Sequence, residues 1–351
     1  LTGHNILEDA TDRIKALLSK GHEVDVIYEA GRNGFTPARE FAKLGANVTV
    51  VPVNKLEVVN TGKKAKSDRL DAKGLSQRDA RAADFPSVWV PSVDQECKRR
   101  MLHEQQRMEK DIKRNNNRIL AILERWPMPG KSRHMPAAQW KAQLQEWREA
   151  GHIGTRLPET EALCMVNMIE EIEVQEKNLK RWQAKMAETL QQERVKSEEV
   201  GQVHPVDVLM QYRGIGPVIA LTLAWYVGDF KRFGNGKQFS SYIGLTPVPW
   251  SSGGKSKCQG ISKSGNPELR RVMIQLAWLW VRYQGASPIT RKWTLRLKDK
   301  GRGRKTAIVA VARQLSVAIF RLLKLGEPLQ DAKKNKSVKV PAAISGSPLA
   351  A

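Results

Sequence analysis

Two long, charged segments limit what this chain can fold into more than any other feature of its sequence. Residues 96–126 and 159–199 combine charged side chains with apolar residues at helical spacing, which predicts two long α-helices. Long helices of this kind bury a narrow apolar stripe against another helix. The pattern therefore predicts a helical hairpin or a coiled coil, which more often mediates self-association than chemistry.

The first 95 residues have the alternating pattern of an α/β fold. Residues 24–31 and 46–53 read as buried strands, and residues 36–44 read as the helix between them. A strand–helix–strand unit of this kind holds its two strands parallel. An amphipathic helix over 5–20 precedes the unit.

The sequence beyond residue 203 predicts a third, mainly helical region. A tight glycine turn joins two helices there, and a Gly/Ser/Lys-rich loop follows over 244–266. Two apolar helices come next, near 267–284 and 305–325, and the small, lysine-rich end predicts a disordered tail. The fold class is thus α/β plus all-α, with predicted domains at 1–95, 96–202, 203–328 and 329–351.

The charge of the chain indicates a polyanionic partner. The chain has 59 Lys+Arg and 36 Asp+Glu, for a formal net charge of +23, and residues 251–305 alone carry 14 basic and 2 acidic side chains. Such a concentration favours phosphate contact and hence nucleic acid. Cys97, Cys164 and Cys258 are too far apart for a disulfide framework or a cysteine-rich zinc site, and no uncharged apolar run reaches the roughly 18 residues of a membrane span.

Three carboxylates are candidate magnesium ligands. Glu29 stands at the end of a predicted strand, where α/β folds place functional groups. Asp68 and Asp71 have the spacing D-x-x-D, which puts both on one helix face. Converging carboxylates need a cation, and Mg²⁺ prefers oxygen ligands. The alternative is that the aspartates only compensate the dipole at a helix N-terminus.

Two further segments are candidate phosphate sites. Arg213, Gly214 and Gly216 form a turn between helices whose amides could hold a phosphate, although a plain helix–helix turn has the same pattern. In the serine loop, Ser251 or Ser252 could attack phosphorus, with basic neighbours stabilising the developing charge. The alternative for the serines is an ordinary solvated loop.

The order of these motifs resembles a known family. The strings YEAG, SDRLDA, RGIG and GLTP…SSGGK…ISKSGNPELRR, separated by a long helical insert, are similar to the DEDD transposases of insertion-sequence family one-hundred-ten. Members of that family are RNA-guided DNA recombinases of prokaryotic mobile elements, and the resemblance covers roughly residues 24–325. The final string is its most specific part.

The resemblance implies a composite catalytic site and a set of phosphate contacts. It implies an N-terminal RuvC-like, ribonuclease-H-type fold with Mg²⁺ held by Glu29, Asp68 and Asp71. It also implies a C-terminal transposase domain in which Ser252, with Ser251 as the neighbour that could be confused with it, joins covalently to a DNA phosphate. The side chains expected to hold phosphates are Lys255, Lys257, Lys263, Arg270 and Arg271.

The resemblance also implies partners and a location. Donor and target DNA would pair with a non-coding guide RNA encoded by the element, and the protein would bind that RNA by its shape and backbone. The long helices would form a dimerisation coiled coil, with a tetramer in the synaptic complex. No membrane partner is expected, and the protein would act in the prokaryotic cytoplasm with the nucleoid.

The sequence departs from the family pattern at its beginning. The family's first three strands and its first catalytic aspartate have no counterpart before Glu29, and the chain begins with Leu. We expect an N-terminally truncated record. Two other functions remain open: a structure-selective nuclease that uses metal carboxylates without a covalent serine adduct, and an inactive transposase relic that only binds nucleic acid.

Overall fold

The computed structural model describes residues 6–31, 34–52, 87–126, 137–252, 255–299 and 301–335. The chain divides into two compact units, Leu1–Glu96 and Cys97–Ala351. Each unit has its own hydrophobic core, and each is described separately below.

The first unit contains a parallel strand–helix–strand arrangement, as the sequence predicts. Strands β1 and β2 pair in parallel from Asp25 opposite Asn47 to Glu29 opposite Val51. A small core of Ile14, Phe41 and Ala46 holds the helices against the strands. The β-α-β prediction is confirmed, and the assignment to a RuvC-like fold stays a prediction. The elements are α1 (Ile6–Ser19), β1 (Asp25–Glu29), α2 (Thr36–Lys43) and β2 (Asn47–Val51).

The two long helices form an antiparallel hairpin within one chain. Helix α3 spans Val93–Arg125 and helix α6 spans Glu159–Glu199. The indole Nε1 of Trp182 donates to the Met101 carbonyl at 2.9 Å, and the guanidinium of Arg125 pairs with Glu161 at 3.0 Å. The residue number increases from 101 to 125 along α3 while its partner on α6 decreases from 182 to 161, so the two helices run antiparallel.

Two short helices close the far end of this hairpin. Trp147 and Ile153 of these helices, and Leu157 just after them, are buried against Ile119 and Met165 of the long helices. Burial of these apolar side chains between the short and the long helices stabilises short helices that would be only marginally stable on their own. The short helices are α4 (Ala137–Glu149) and α5 (His152–Arg156).

The second unit also contains a helical body with one continuous core. Leu223, Phe239, Met273 and Leu315, each from a different helix, are completely buried in it. The elements of this body are α7 (Pro205–Met210), α8 (Pro217–Val227), α9 (Gly236–Ile243), β3 (Pro247–Ser252), β4 (Lys255–Ile261), α10 (Pro267–Tyr283), α11 (Pro288–Arg291), α12 (Thr294–Lys298) and α13 (Arg302–Leu325).

Helix α13 is long and apolar enough to pass a membrane-span test, by length and composition alone, among the described residues. Over half of its most apolar window is buried inside the fold. Ile308, Leu315 and Ile319 lie in the core of the second unit, which accounts for the apolar composition of the helix. It is the central helix of this body.

The prediction of a loop over 244–266 is wrong for most of these residues. Its residues form an antiparallel hairpin in which Ser252 pairs with Lys255 and Ser251 pairs with Ser256. In the sequence, two glycines separate the paired strands, and Gly-Gly is a preferred sequence for two-residue hairpin turns. Cross-strand backbone pairing therefore takes the place of the expected coil.

The start of the predicted disordered tail is folded. Leu329 is buried in the main core, and its amide donates to the Tyr212 hydroxyl at 3.2 Å. The amide of Asn335 donates to the Gln211 carbonyl at 2.7 Å. These bonds, together with the burial of Leu329, outweigh the polar composition of the segment. Residues 336–351 lie outside the described residues.

Candidate nucleic-acid interface

A large cleft lies on the second unit, between helix α13 and the elements around it. Its volume is about 1610 Å³, above the roughly 300–1,000 Å³ of most small-molecule sites. The N-terminus of α9, the base of the β3–β4 hairpin, α10 and the segment around α12 supply the other walls. A cleft of this size accommodates part of a polymer.

The walls of the cleft are strongly basic. Among the described residues that line it, nine carry a positive charge and one carries a negative charge. Low-dielectric walls lined by one sign of charge focus the electrostatic field and attract counterions of opposite sign. The basic residues are Lys237, Lys263, Arg270, Arg296, Arg302, Lys305, Arg313, Arg321 and Lys324, and the acidic residue is Glu327.

Helix α13 positions five of these basic side chains through its helical period. Its buried face carries apolar residues such as Ile308, Val311 and Leu315, which recur three to four positions apart. Positions on the opposite face then align along the cleft, and they include Lys305, Arg313 and Arg321. Helix α13 therefore places apolar side chains in the core on one face and a row of basic side chains, the α13 row, in the cleft on the other.

Some cleft cations are already occupied by protein groups. The ammonium of Lys324 donates to the Phe233 carbonyl, and the guanidinium of Arg321 lies 3.9 Å from Glu327. Arg302, Lys305 and Arg313 form no ion pair with another described residue. These three cations are therefore the ones best placed to meet an external phosphate.

Part of the cleft lining is apolar, and we call this part its floor. Ile274, Ile289, Val309 and Val317 belong to it, together with the indole of Trp293. The guanidinium of Arg296 lies over the Trp293 ring, 5.8 Å from its centre. The lining of the cleft thus combines basic, aromatic and aliphatic side chains.

The two serines predicted as nucleophile candidates stand at the turn end of the β3–β4 hairpin. Ser252 occupies the last pair before the turn, opposite Lys255, and Ser251 occupies the pair next to it. At the other end of the same hairpin, Pro247 and Ile261 line the basic cleft. The hairpin therefore extends from the edge of the cleft. Lys255 and Lys257 lie on β4, the second strand of this hairpin.

The glycines of the most specific motif permit a close backbone crossing. A Cβ on Gly265 would lie 2.3 Å from the Tyr242 carbonyl oxygen and 2.4 Å from the Gly244 amide nitrogen. Gly244 has a φ of +78°, which favours glycine. The strings GLTP and SGN therefore meet at this point, where α9 ends and α10 begins.

Arg270 supports this crossing from inside the motif. Its Nη1 donates to the carbonyl of Ile243 at 3.2 Å and to that of Lys263 at 3.0 Å. Lys263 itself has a φ of +56°, an uncommon conformation for a residue with a side chain. Arg271, by contrast, is exposed and pairs with Glu268 at 2.9 Å. Of these predicted phosphate contacts, Lys263 and Arg270 line the cleft.

The predicted phosphate turn at 213–216 is held by the protein itself. The amide of Arg213 donates to the Lys333 carbonyl at 3.0 Å, and the amide of Ile215 donates to the Tyr212 carbonyl at 3.1 Å. Gly214 has a φ of +101°, and Gly216 is the N-cap of α8. Arg213, Gly214 and Gly216 are absent from the described lining of the cleft, so the structure does not bring them together with the other basic residues.

The predicted metal ligands belong to the first unit. Glu29 is half-buried and is the last residue of β1, paired with Val51 of β2. Asp68 and Asp71 lie outside the described residues. Within the described ranges, no group of three or more His, Cys, Asp or Glu side chains is arranged to hold a metal ion.

Sequence reasoning named two of the nine described cleft cations as site residues and missed the other seven. The concentration of charge over 251–305 contains three of the seven, Arg296, Arg302 and Lys305, and four lie outside it: Lys237, Arg313, Arg321 and Lys324. The concentration of charge ended at residue 305 in the sequence, whereas the basic row continues along α13. The sequence does contain a signal for this row, since basic residues of α13 recur at helical spacing on the face opposite its buried apolar residues. Lys237 reaches the same cleft from another helix, which only the tertiary fold reveals.

Comparison with known proteins identifies relatives over most of the chain. The profile described as "Transposase IS116/IS110/IS902 family" matches residues 206–291, which include the serine hairpin and part of the cleft. "Putative transposase y4rJ" of Sinorhizobium fredii is 31% identical over 322 residues, covering 88% of this chain and 78% of that protein. The transposase for insertion sequence element IS1533 of Leptospira borgpetersenii is 25% identical, covering 93% of this chain and 87% of that protein.

A shorter match connects the chain to insertion element IS110, one of the elements that the family description names. The "Insertion element IS110 uncharacterized 43.6 kDa protein" of Streptomyces coelicolor is 30% identical, covering 36% of this chain and 30% of that protein. The identity to the Sinorhizobium protein extends over most of both sequences. On these similarities, the chain belongs to the IS110/IS116 family of insertion-sequence transposases.

Proposed function

We propose that this transposase breaks and rejoins DNA through a covalent serine intermediate, with Ser252 as the nucleophile. The observation that carries the proposal is the hairpin with two serines at its turn and the basic cleft at its base. A DNA strand held by the cleft cations would lie beside the hairpin, and binding of that kind supplies orientation to the reaction. The family resemblance selects Ser252 over Ser251.

The proposed step conserves the phosphodiester bond. The Ser252 oxygen attacks phosphorus and forms a serine–phosphate ester, while the bond from phosphorus to one sugar oxygen breaks. The proton of the serine hydroxyl passes through a base or water to that sugar oxygen, which leaves as a hydroxyl. A sugar hydroxyl of the other DNA duplex then attacks the same phosphorus, the bond from phosphorus to the serine oxygen breaks, and the proton of the attacking hydroxyl returns to the serine. Neighbouring lysines stabilise the negative charge that develops on the phosphate oxygens.

The acidic residues are proposed as the magnesium site. Glu29 lies at the carboxyl end of a parallel strand, and its carboxylate is a suitable hard ligand for Mg²⁺. Asp68 and Asp71 would complete the set. Bound magnesium would neutralise charge on the phosphate oxygens. The contribution of this chain is to hold those three carboxylates in place.

A guide RNA and self-association complete the proposal. The net charge of +23 exceeds what the cleft alone supplies, so it suits a second nucleic acid as well as DNA. Helix α6 leaves Leu163 and Val174 each 60% exposed, and the long helical hairpin is the part of the chain that we propose pairs with another copy. The proposed assembly is a dimer that doubles to a tetramer when it joins two DNA duplexes.

The decisive experiment compares two neighbouring serine variants. The 351-residue chain would be expressed with its native flanking DNA, incubated with labelled donor and target DNA and Mg²⁺, and denatured to detect a protein–DNA adduct. We expect Ser252→Ala to abolish the adduct and strand exchange while leaving DNA binding intact, and Ser251→Ala to retain all three. Sequencing of co-purified nucleic acid should yield one dominant short RNA that maps beside the gene.

Other outcomes select the alternative functions. Loss of the adduct in Ser251→Ala alone would move the nucleophile to Ser251. Magnesium-dependent cleavage without any adduct would indicate a structure-selective nuclease, and binding without chemistry would indicate an inactive relic. Mixed DNA and RNA in the purified protein would contradict the guide RNA.

A further inference from the structure

We infer that the basic cleft binds an unpaired DNA strand, with at least one base stacked on Trp293 in the apolar floor. The inference deepens the proposed function and rests on it only for the identity of the nucleic acid as DNA. The unpaired state of the strand is argued from the cleft itself.

The composition of the floor distinguishes a single strand from a duplex. A duplex presents phosphates and sugars outward and keeps its base faces stacked inside, so it cannot fill an apolar floor. An unpaired strand exposes a flat apolar face on every base. Trp293, Ile289 and Val309 line the floor, and they offer the kind of surface that such a face covers.

Trp293 has a second property that points to a ligand. Its indole Nε1 is hidden from solvent and has no acceptor among the described residues. Buried indole N–H groups in proteins usually find a partner, and this donor would pair with an acceptor of the ligand once binding displaces the groups that cover it. The guanidinium of Arg296 lies 5.8 Å from the centre of the ring, within the range of a cation–π contact.

The basic rim suits the phosphates of an extended strand. From Arg302 to Lys324, helix α13 runs about 33 Å, with Lys305 and Arg313 between them on the cleft face. This length spans several nucleotides, within the roughly 4–16 that single-strand sites commonly hold. Lys237 and Lys263 stand on other walls. The lining therefore offers basic side chains to the phosphates and apolar side chains to the bases of such a strand.

The charge balance argues against a peptide or an apolar ligand as the occupant. Nine basic side chains against one acidic side chain would repel one another unless a polyanion lay among them. Arg302, Lys305 and Arg313 in particular have no acidic partner among the described residues. A strand that carries one negative charge per nucleotide meets this requirement.

The test measures the affinity of the full chain for three ligands of one sequence. Fluorescence anisotropy at fixed salt would compare a labelled single DNA strand of about 12 nucleotides, the corresponding duplex, and the same strand as RNA. We expect the DNA strand to bind more tightly than the duplex. Trp293→Ala should weaken single-strand binding about tenfold while changing duplex binding less than about twofold.

Two more variants separate stacking from folding. Trp293→Phe keeps a ring in the floor and should retain most of the single-strand affinity. Trp278→Ala is the matched control, because Trp278 is 40% exposed on α10 and does not line the described cleft. It should leave single-strand binding unchanged. Circular dichroism and thermal unfolding would verify that each variant remains folded.

Three results would overturn the inference. One is duplex binding that equals or exceeds single-strand binding and weakens in parallel in Trp293→Ala. Another is an unaltered single-strand affinity in folded Trp293→Ala. The third is clear preference for RNA over DNA, which would reject the strand as DNA. Adduct formation through Ser252 is measured independently, so failure of this inference and failure of the proposed function give different results.

Discussion

His204 shows how the surroundings of one side chain create a pH dependence. It is the N-cap of α7, and its Nδ1 accepts a hydrogen bond from the Val206 amide at 3.3 Å. Its Nε2 lies 3.6 Å from the carboxylate of Glu193. Burial lowers the pKa of His204 below its usual value, and the Glu193 carboxylate offsets this only in part.

We expect His204 to destabilise the fold as the pH falls. A lowered pKa in the folded state means that the unfolded chain binds more protons below the ordinary value of 6.5. Stability is therefore complete above that pH and is lost as the pH falls toward the folded pKa. His204→Asn keeps a good N-cap but does not titrate, so its urea midpoint should fall less between about pH 7.5 and about pH 5.5 than that of the parent.

The control for this experiment is His152→Asn, which removes a histidine from α5 in the same unit. Its urea midpoints should follow the parent at both pH values. Identical pH slopes for His204→Asn and the parent would refute the role of His204.

Arg270 shows what sequence reasoning can and cannot assign at a single residue. Its charge and its motif predicted a phosphate contact, and it does line the cleft. The structure also shows its Nη1 bonded to the backbone carbonyls of Ile243 and Lys263. A guanidinium donates to carbonyl oxygens as well as to phosphate oxygens, so the sequence cannot assign Arg270 to one of these two roles. That division depends on which oxygens the tertiary fold brings near.

At the scale of secondary-structure elements, the spacing of apolar residues predicted the long helices well. Composition alone gave wrong predictions for the β3–β4 hairpin and for the segment around Leu329. The limits of α6 match the predicted 159–199 because an uninterrupted helical period runs through that range. The β3–β4 hairpin was predicted as coil because serine, glycine and lysine dominate it. Its two-glycine turn was the available signal for pairing. The burial of Leu329 was not predicted, because the residues that cover it are distant in the sequence.

The crossing between α9 and α10 should be highly sensitive to a single added carbon. Gly265→Ala would place its Cβ 2.3 Å from the Tyr242 carbonyl oxygen, a backbone atom that cannot rotate away. We expect this change to lower the free energy of unfolding by at least ~2 kcal/mol, because the crossing is already closely packed. Equilibrium urea unfolding would measure it.

Gly285→Ala is the matched control for this prediction. Gly285 follows α10, and a Cβ there would meet no atom within 4 Å. We expect a change of less than ~0.5 kcal/mol in its free energy of unfolding, as for ordinary surface sites. Equal stability of the two variants would show that the close approach at Gly265 is relieved at little cost.

At the scale of the whole molecule, the fold collects charges that are scattered along the sequence. The concentration over 251–305 predicted a nucleic-acid partner, but the cleft also recruits Lys237 and Arg313 from outside that window. No local pattern joins these positions, since they meet only when α9 packs on α13. The predicted partner class thus follows from composition and local charge, whereas the candidate binding surface follows from the tertiary fold.

The collected charge should govern how salt affects binding of a single DNA strand. Each phosphate neutralised by the protein releases condensed counterions, and the slope of log K against log salt is about −0.7 per contact. Arg313 has no acidic partner among the described residues and lines the cleft. Arg313→Gln should therefore weaken binding and make the slope shallower by about 0.7.

Arg291→Gln tests whether this effect belongs to the cleft or to net charge alone. Arg291 is exposed, pairs with Asp331 at 3.2 Å and is absent from the described cleft lining. Both variants lower the net charge by one, so a general electrostatic effect would change both slopes equally. We expect the slope of Arg291→Gln to stay within error of the parent in an anisotropy titration over salt. Equal changes in the two variants would show that the strand binds through the diffuse charge of the molecule and not through the α13 row.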